Sequence, residues 1–263
     1  MDKPKLKEIF IYPIKSFGGE SIKLANLKNN RILGDRMFGF KVSDNLIEST
    51  NLWENKSKFL TLSNTPFLAE FKSTWDPNLR LISIYRKNRL IINFNVDNND
   101  LDLSKIIQLI KKLYNTNDTA NKNYLDKDIV FVNGDQKNFY QDNQSGTITL
   151  HSTESIRSIE TNLGIKISND RFRSNLIVDS LDPWEEFSLI GKKISIGDSE
   201  FQITDIVPRC VAINVNPNNG NIDLDLLKEL MSLNSLSEPS FGVSLNHLGI
   251  GNSIKINDEI KLI

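Results

Sequence analysis

The chain has 263 residues and a mass of 30.0 kDa, enough for one large core or two smaller ones. Its 32 basic and 33 acidic side chains nearly cancel, which argues against binding to nucleic acid or a membrane surface through overall charge. A single cysteine excludes an intrachain disulfide, and no run approaches the ~20 apolar residues needed to span a bilayer. We therefore expect a cytoplasmic globular protein with neither a nucleic-acid partner nor a membrane partner.

Short β-branched and aromatic runs, separated by turn residues, predict strands along most of the chain. In the first half they lie at 7–14, 36–43 and 79–94, and the last run is a hairpin that turns at the sequence RKNR. Many short strands without regular strand–helix alternation argue against a doubly wound sheet and favour closed or nearly closed barrels. The strands predicted in the second half lie at 172–179, 192–206, 210–217, 241–251 and 253–263. The run at 192–206 is predicted to be a hairpin that turns at Gly197 and Asp198.

Apolar residues at helical spacing predict three helices, at 101–115, 152–164 and 221–235. The second begins at Ser152 and ends at Gly164, which are typical N-terminal and C-terminal capping residues. A polar stretch at 115–128 has no apolar period and marks a candidate boundary. We predict a mainly β (α+β) protein with one β-rich domain at 1–115 and a second, a β-barrel with a few helices, at 116–263.

Cys210 could serve either packing or chemistry. A lone cysteine in an apolar run commonly behaves as a small buried hydrophobe. Arg209 directly before it would favour the thiolate, which is a soft ligand for a heavy metal. With only two histidines and one cysteine in the chain, a zinc site of the usual Cys/His kind cannot form. The residues alone leave both interpretations open.

A second group of side chains could bind an anion. Arginine suits bidentate phosphate contacts, and the free amides at a helix start attract negative charge. Taken singly, each residue is more simply explained as a solvated charge or a helix cap, and spacing does not show that they converge. The candidates are Lys15, Ser16, Arg36, Ser152, Thr153, Ser155, Arg173, Asn175 and Arg209.

The order of the motifs resembles the MOSC proteins, a family named for the C-terminal domain of the molybdenum cofactor sulfurase. IYPIKSFGGESI and ILGDRMFGF are similar to the N-terminal β-barrel domain of that family. RFRSNLIVD, LIGKKISIGDSEFQITDIVPRCVAINVNPNNG, FGVSLNH and SIKINDEIKL are similar to the MOSC domain itself. The resemblance covers nearly the whole chain, and its most specific part is the Arg–Cys pair followed by Asn–Pro and Gly.

The resemblance implies a MOSC-type barrel and a molybdenum cofactor, a pterin dithiolene that carries the metal. Cys210 matches the position that supplies a further molybdenum ligand, and would be the catalytic residue. In relatives of the amidoxime-reducing type, the pterin and its phosphate are held at positions that match the nine anion-binding candidates. The implied reaction is two-electron reduction of a small N-hydroxylated substrate, with electrons from a separate electron-donor protein. Asp35 is a candidate to orient Arg36, although an ordinary salt bridge would explain this neighbouring pair equally well.

Two departures and two alternatives accompany this expectation. Ser174 stands where relatives often have a proline, and Ser244 stands where amidoxime-reducing relatives often have a tyrosine near the cofactor. MOSC domains are also associated with sulfur transfer, in which Cys210 would carry a persulfide. The other alternative is non-catalytic storage or delivery of the cofactor.

Overall fold

The computed structural model describes residues 3–43, 53–98, 102–116, 127–134, 139–144 and 146–263. This part of the chain is mainly strand with a few helices, which confirms the predicted mainly β (α+β) class. The strands are β1 (Lys5–Ile11), β2 (Glu20–Ile22), β3 (Leu24–Lys28), β4 (Arg31–Ile32), β5 (Phe38–Ser43), β6 (Phe71–Asp76), β7 (Leu81–Arg86), β8 (Arg89–Asn95), β9 (Asp128–Asn133), β10 (Ile148–Ser152), β11 (Leu176–Asp179), β12 (Lys193–Ile196), β13 (Ser199–Pro208), β14 (Ser240–His247), β15 (Ser253–Lys255) and β16 (Ile260–Leu262). The α-helices are α1 (Ser104–Thr116), α2 (Thr153–Leu163), α3 (Glu185–Ser188) and α4 (Leu226–Asn234).

The largest sheet has eight strands in the order β16–β12–β13–β14–β10–β11–β1–β2. Strand β1 comes from the start of the chain, yet it lies between β11 and β2 and is antiparallel to both. Its inward residues join a core built mostly by the second half, because side chains alternate along a strand. Members of this core include Leu6, Ile9, Leu176, Val178, Phe201 and Val243.

The first half also forms a three-stranded sheet of β6, β7 and β8, and α1 packs into the same core. Ile106, Ile110 and Tyr114 recur at helical spacing and bury one face of that helix. The predicted hairpin is confirmed, since Lys87 and Asn88 join β7 to β8 with φ angles of 49° and 62°. Both angles are positive, as a two-residue turn between twisted strands requires. Among the described residues, none of the helices has both the length and the apolar composition for a membrane span.

The three predicted helices are confirmed, with bounds that differ by a few residues. Ser152 caps α2 by accepting a hydrogen bond from the Glu154 amide, and Gly164 ends it with a φ of 68°. The Gly197 turn between β12 and β13 is confirmed as well. The short helix α3 was not predicted, because four residues are too few to show a helical period.

The strand predicted at 210–217 is wrong. Residues Val211–Asn214 form a 3₁₀ helix instead. Pro208 lacks an amide to donate and closes the ladder of β13, so the apolar run packs against helix α4 rather than a neighbouring strand. Asn214 then accepts a hydrogen bond at 2.9 Å from the amide of Leu226 at the start of α4.

Strand pairing crosses the predicted boundary between 115 and 116. Strand β1 belongs to the large sheet, and β5 pairs with β9, which follows the boundary in sequence. Most of the polar stretch on which the boundary rests, 117–126, lies outside the described residues. The division into 1–115 and 116–263 therefore stays a prediction.

Candidate functional site

A cavity of about 510 Å³ lies where loops of the first half of the chain meet the end of strand β13. The loop after β1, the turn at 61–63, the segment 171–175 and the end of β13 all contribute to its lining. Its size is within the usual range for small-molecule and cofactor sites. Seven residues predicted from the sequence line it: Lys15, Ser16, Arg36, Arg173, Asn175, Arg209 and Cys210.

Cys210 is exposed and lines this cavity. It follows Pro208 and Arg209, where the chain has left the ladder of β13, so its side chain is not enclosed by a neighbouring strand. The Oγ atom of Ser63, from the first half of the chain, lies 3.6 Å from the Cys210 Sγ. The structure therefore rejects the packing interpretation of this cysteine and leaves its thiol accessible to a bound molecule.

Arg173 and Arg209 place two guanidinium groups beside the cavity and hold them through backbone carbonyls. Arg209 donates to the carbonyl of Phe172 at 2.7 Å and, through Nε, to that of Phe241 at 2.9 Å. Arg173 donates to the carbonyl of Phe17 at 2.7 Å. Burial lowers the pKa of both groups to about 10, so both remain charged at neutral pH. Because neither forms an ion pair with a described carboxylate, their positive charge stays available to an anion.

Lys15 and Arg36 are held by acidic partners. The Nη1 atom of Arg36 lies 2.6 Å from Asp35 Oδ2, so the two side chains form an ion pair, and the orienting role of Asp35 stays a prediction. Gln141 donates to the same Asp35 oxygen at 3.0 Å. Lys15 donates to the carbonyl of Tyr140 at 2.8 Å and forms an ion pair with Asp142. Burial lowers the pKa of Lys15 despite that carboxylate.

Tyr12 separates two of the guanidinium groups. The Arg36 and Arg173 Cζ atoms lie 4.7 and 4.3 Å from the centre of its ring. Burial raises the pKa of its hydroxyl, so the ring is neutral and offers its negative π-face to both cations. Tyr12 was not predicted as a site residue, because an aromatic side chain in a strand-like run usually belongs to the core.

Three cavity residues adopt the left-handed backbone conformation that favours glycine. Ser16, Arg36 and Arg173 have φ angles of 71°, 49° and 52°. Such conformations cost free energy in a residue with a Cβ atom, and they persist where the surrounding structure fixes them. The Arg36 amide, for example, donates to the carbonyl of Tyr12 at 2.8 Å. The strained residues are thus among those the sequence marked as anion binders.

The structure does not bring Ser152, Thr153 and Ser155 to the cavity. Ser152 caps helix α2, and the Ser155 hydroxyl lies 2.8 and 2.9 Å from the two carboxylate oxygens of Glu186. Burial raises the pKa of Glu186, the residue that this serine contacts. Ser155 also accepts from the amide of Trp184 at 2.9 Å, so its hydroxyl is already fully used within the protein.

Asn175 lines the cavity but is engaged in holding strands together. Its amide nitrogen donates to the carbonyl of Phe10 in β1 at 3.2 Å, and its carbonyl oxygen accepts from the Thr149 amide in β10 at 3.3 Å. The neighbouring Ser174, which replaces the proline common in relatives, places its hydroxyl 3.5 Å from Arg209 Nη2. The departure at 174 therefore adds a polar contact to a cavity arginine.

Several cavity residues escaped sequence analysis because only the fold brings them there. They carry no local motif, and they come from separate parts of the chain: turns of the first half, the loop after β9, strand β10, the turn at 169–171 and the middle of β13. Ser244, noted from the sequence only for the missing tyrosine, is buried and lines the cavity. The missed polar residues include Lys56, Ser63, Gln141, Asp142, Thr149, Arg171 and Asp205.

The described lining is strongly cationic. The described lining residues include six cationic side chains and only two carboxylates. Together with an accessible thiol, this arrangement suits an anionic ligand that also carries a soft metal, because thiolates prefer soft metals and arginines prefer phosphate-type anions. The cations are Lys15, Arg36, Lys56, Arg171, Arg173 and Arg209, and the carboxylates are Asp142 and Asp205.

Comparison with known proteins gives several relatives. The chain is 26% identical over 249 residues to "Molybdenum cofactor sulfurase" of Caenorhabditis elegans, which covers 91% of this chain and 33% of that protein. It is 32% identical over 123 residues to "Mitochondrial amidoxime reducing component 2" of Rattus norvegicus, which covers 43% of this chain and 36% of that protein. The chain thus spans about a third of the length of these curated relatives.

A solved structure, the YUAD protein from Bacillus subtilis, aligns over 98% of this chain and 94% of its own at 11% identity, with a TM-score of 0.44. The family comparison is decisive. The MOSC N-terminal beta barrel domain matches residues 3–129, and the MOSC domain matches residues 135–261. Because the two matches cover almost all of the chain in the expected order, the protein belongs to the MOSC family and carries both of its domains.

Proposed function

We propose that this protein binds a molybdenum cofactor in the cavity and reduces small N-hydroxylated compounds, with Cys210 as a ligand of the metal. The observation that carries the proposal is the accessible Cys210 thiol in a cavity lined by cations that lack full acidic compensation. Relatives named as molybdenum cofactor sulfurase and amidoxime reducing component support the cofactor assignment. The reaction of the second relative supports the choice of substrate.

The charged side chains and the thiol of the cavity fit a molybdenum cofactor. A pterin dithiolene with a phosphate is anionic, and Arg173 and Arg209 offer positive charge without an acidic partner among the described residues. Lys15 and Arg36 add charge on the side formed by the first half of the chain. Cys210 offers one soft sulfur ligand. When bound, the cofactor would supply the two-electron chemistry that cleaves the N–O bond.

The chain's own residues would bind the cofactor, orient it and neutralise its negative charge. Backbone carbonyls fix the guanidinium groups of Arg173 and Arg209, so little side-chain freedom is lost when an anion binds. Asp35 and Gln141 hold Arg36 in place. Ser63 contacts the Cys210 sulfur and would limit its orientations. Overall, the reaction adds two electrons and two protons to an N–OH group, giving N–H and water. The electrons would come from a separate donor protein.

Molybdenum content tests the ligand assignment. The full chain and its Cys210→Ser variant are produced under molybdenum-replete conditions, and the metal is measured by elemental analysis. We expect about one molybdenum per wild-type chain and a large loss in the variant, because a hydroxyl is a poor ligand for a soft metal. Ser235→Ala, at the end of helix α4 and outside the cavity lining, is the matched control. Equal loading of wild type and Cys210→Ser would reject the ligand role.

Turnover tests the reaction. Cofactor-loaded wild type is mixed with a reduced viologen as electron donor and with benzamidoxime, and formation of benzamidine is followed. Failure to reduce any N-hydroxylated amidine, guanidine or base under these conditions would reject the reductase assignment while leaving cofactor binding intact.

Sulfur transfer is the second candidate, favoured by the exposure of Cys210 and by the relatives named as sulfurases. It requires a persulfide on Cys210 rather than a metal bond. Mass spectrometry separates the two, since a persulfide on Cys210 in molybdenum-free protein favours the carrier. Pterin retention in Cys210→Ala, without turnover in the wild type, would instead favour storage or delivery of the cofactor.

A further inference from the structure

Strand β13 contains a bulge at Thr204 and Asp205. Its earlier residues alternate regularly, with Phe201 and Ile203 buried in the large core. The ladder to β14 then shifts, because Ile203 pairs with Leu245 whereas Ile206 pairs with Val243, so β13 has one residue more than β14 over this interval. Bulges of this kind redirect side chains and occur next to active sites.

The bulge changes the environment of Asp205. Continued alternation would place this residue on the buried face of the sheet with Ile203, where an unpaired carboxylate is costly. Instead Asp205 is exposed and lines the cavity. Ser244 stands opposite the bulge, between the partners Leu245 and Val243, and lines the same cavity. A carboxylate and a small hydroxyl side chain therefore come from opposite strands of the same irregular interval and both belong to the lining.

Among the described lining residues, Asp205 is also the carboxylate without a cationic partner. The other lining carboxylate, Asp142, is paired with Lys15 and with Lys56, the latter at 3.5 Å. No described residue forms an ion pair or a hydrogen bond with the Asp205 carboxylate. A charge held at the wall of a binding cavity without an internal partner is free to bind a ligand of opposite charge.

We propose that Asp205 is the substrate-recognition residue of this cavity and selects ligands with an amidinium- or guanidinium-type cation. The planar N–H groups of such a cation match the two oxygens of a carboxylate. Ser244, where a tyrosine is common in relatives, leaves room for that head group beside Asp205. The cations elsewhere in the lining would repel such a ligand, so Asp205 also determines which end of the cavity it enters.

A role for Asp205 in the reduction of N-hydroxylated substrates rests on the proposed function, whereas binding of an amidinium cation by Asp205 does not. Removing oxygen from an N-hydroxyamidine gives an amidine, which is more basic and takes up a proton. A carboxylate at the binding site stabilises the charge that develops as the N–O bond is lost. Asp205 would thus favour N-hydroxylated amidines and guanidines over neutral N-hydroxylated compounds.

Binding of benzamidine to the full chain, measured by calorimetry, tests the inference without turnover. Benzamide, which is neutral and of nearly the same shape, is the comparison ligand. We expect Asp205→Asn to weaken benzamidine binding by about tenfold or more, as loss of a charge-assisted contact implies, and to leave benzamide binding unchanged. Asp205→Glu should retain most of the affinity. Glu200→Gln removes an acid from the same strand outside the cavity lining and should change nothing.

Kinetics of the loaded enzyme provide the second readout. Asp205→Asn should raise KM for an N-hydroxyguanidine about tenfold and leave KM for a neutral N-hydroxylated compound unchanged. Equal benzamidine affinity in wild type and Asp205→Asn, or equal loss for benzamide, would overturn the inference. Asp205-dependent benzamidine binding by a protein that reduces nothing would reject the reductase assignment and keep the cation site.

Discussion

Arg173 and Ser155 show how two residues with the same predicted role receive different positions. Both are polar, and both match anion-binding positions of relatives. Arg173 reaches the cavity from a left-handed backbone position and is held by the Phe17 carbonyl and the Tyr12 ring. Ser155 is fully buried on helix α2 against Glu186. The fold therefore leaves the Arg173 guanidinium at the cavity and engages the Ser155 hydroxyl within the protein.

Substitution of each residue by alanine separates these roles. Arg173→Ala should reduce molybdenum content by tenfold or more, because one uncompensated charge is lost from the site. Ser155→Ala should retain molybdenum but lose roughly 1–3 kcal/mol of unfolding free energy, because the buried Glu186 loses its hydroxyl partner. Elemental analysis and urea unfolding measure the two effects. Loss of molybdenum in a stably folded Ser155→Ala protein would restore the role inferred from the family resemblance.

His151 makes the free energy of unfolding depend on pH. It is fully buried between Phe172 and Phe241, and its Nδ1 atom has no hydrogen-bond partner among the described residues. Burial lowers its pKa from 6.5 to about 3. Because the unfolded chain binds a proton here more readily, the stabilisation is complete above pH 6.5 and is lost as the pH falls towards 3.

The expected loss at pH 5 is about 2 kcal/mol of unfolding free energy, from the 1.36 kcal/mol that each pKa unit represents. Urea unfolding at pH 7.5 and pH 5 is compared for wild type and His151→Gln. Other titrating groups are common to both proteins, so the variant should lose about 2 kcal/mol less between these pH values. The same loss in both would mean that His151 is accessible to protons in the folded protein.

The site could be predicted only in part, for reasons visible at single residues. Lys15, Arg36, Arg173 and Cys210 carry recognisable local motifs, and the structure brings them to one cavity. Asp205 could not be identified, because its exposure depends on an extra residue in β13 that is defined only by its pairing with β14. Ser155 was misplaced because a serine in the first turn of a helix can cap, bind an anion or support a buried carboxylate.

At the scale of elements, the β13–β14 pair carries much of the cavity wall. A second register shift follows the first, because Ile206 pairs with Val243 whereas Pro208 pairs with Ser240. Gly242 lies in this interval with a φ of 71°. The hairpins at Gly197 and at 87–88 were predictable from two-residue turn chemistry, whereas these irregularities depend on partners distant in sequence.

Gly242→Ala tests how firmly this pair is fixed. A Cβ atom at 242 would lie 2.5 Å from the carbonyl oxygen of Leu150, in addition to the strain of a positive φ. We expect a loss of roughly 2–4 kcal/mol of unfolding free energy, measured by urea unfolding. Gly249→Ala is the matched control, since its φ is 79° and nothing lies within 4 Å, so the backbone strain alone should cost about 1 kcal/mol. Similar losses in the two variants would contradict close packing of β14 on β10.

At the scale of the whole molecule, the cavity belongs to both halves of the chain. Lys15, Arg36 and Ser63 come from the first half, and Arg173 and Cys210 from the second. The two halves also share a sheet through β1. Both β-rich segments were predictable from the sequence. The place of β1 in the sheet of the second half was not, because local patterns do not show which distant strand completes a ladder.

Because β1 of the first half completes the large sheet, we predict that residues 116–263 do not fold alone. Without β1 the large sheet loses Leu6, Ile9 and Ile11, which are almost completely buried. At about 1.5–3 kcal/mol each, their burial is worth roughly 5–9 kcal/mol, comparable to the whole stability of a typical domain. Strand β11 also loses the partner of its antiparallel ladder. Residues 116–263 should therefore show no cooperative urea transition by circular dichroism, whereas co-expression with residues 1–115 should give a complex that unfolds cooperatively. A cooperative transition of 116–263 alone, at the midpoint of the full chain, would show that the second half folds independently of β1.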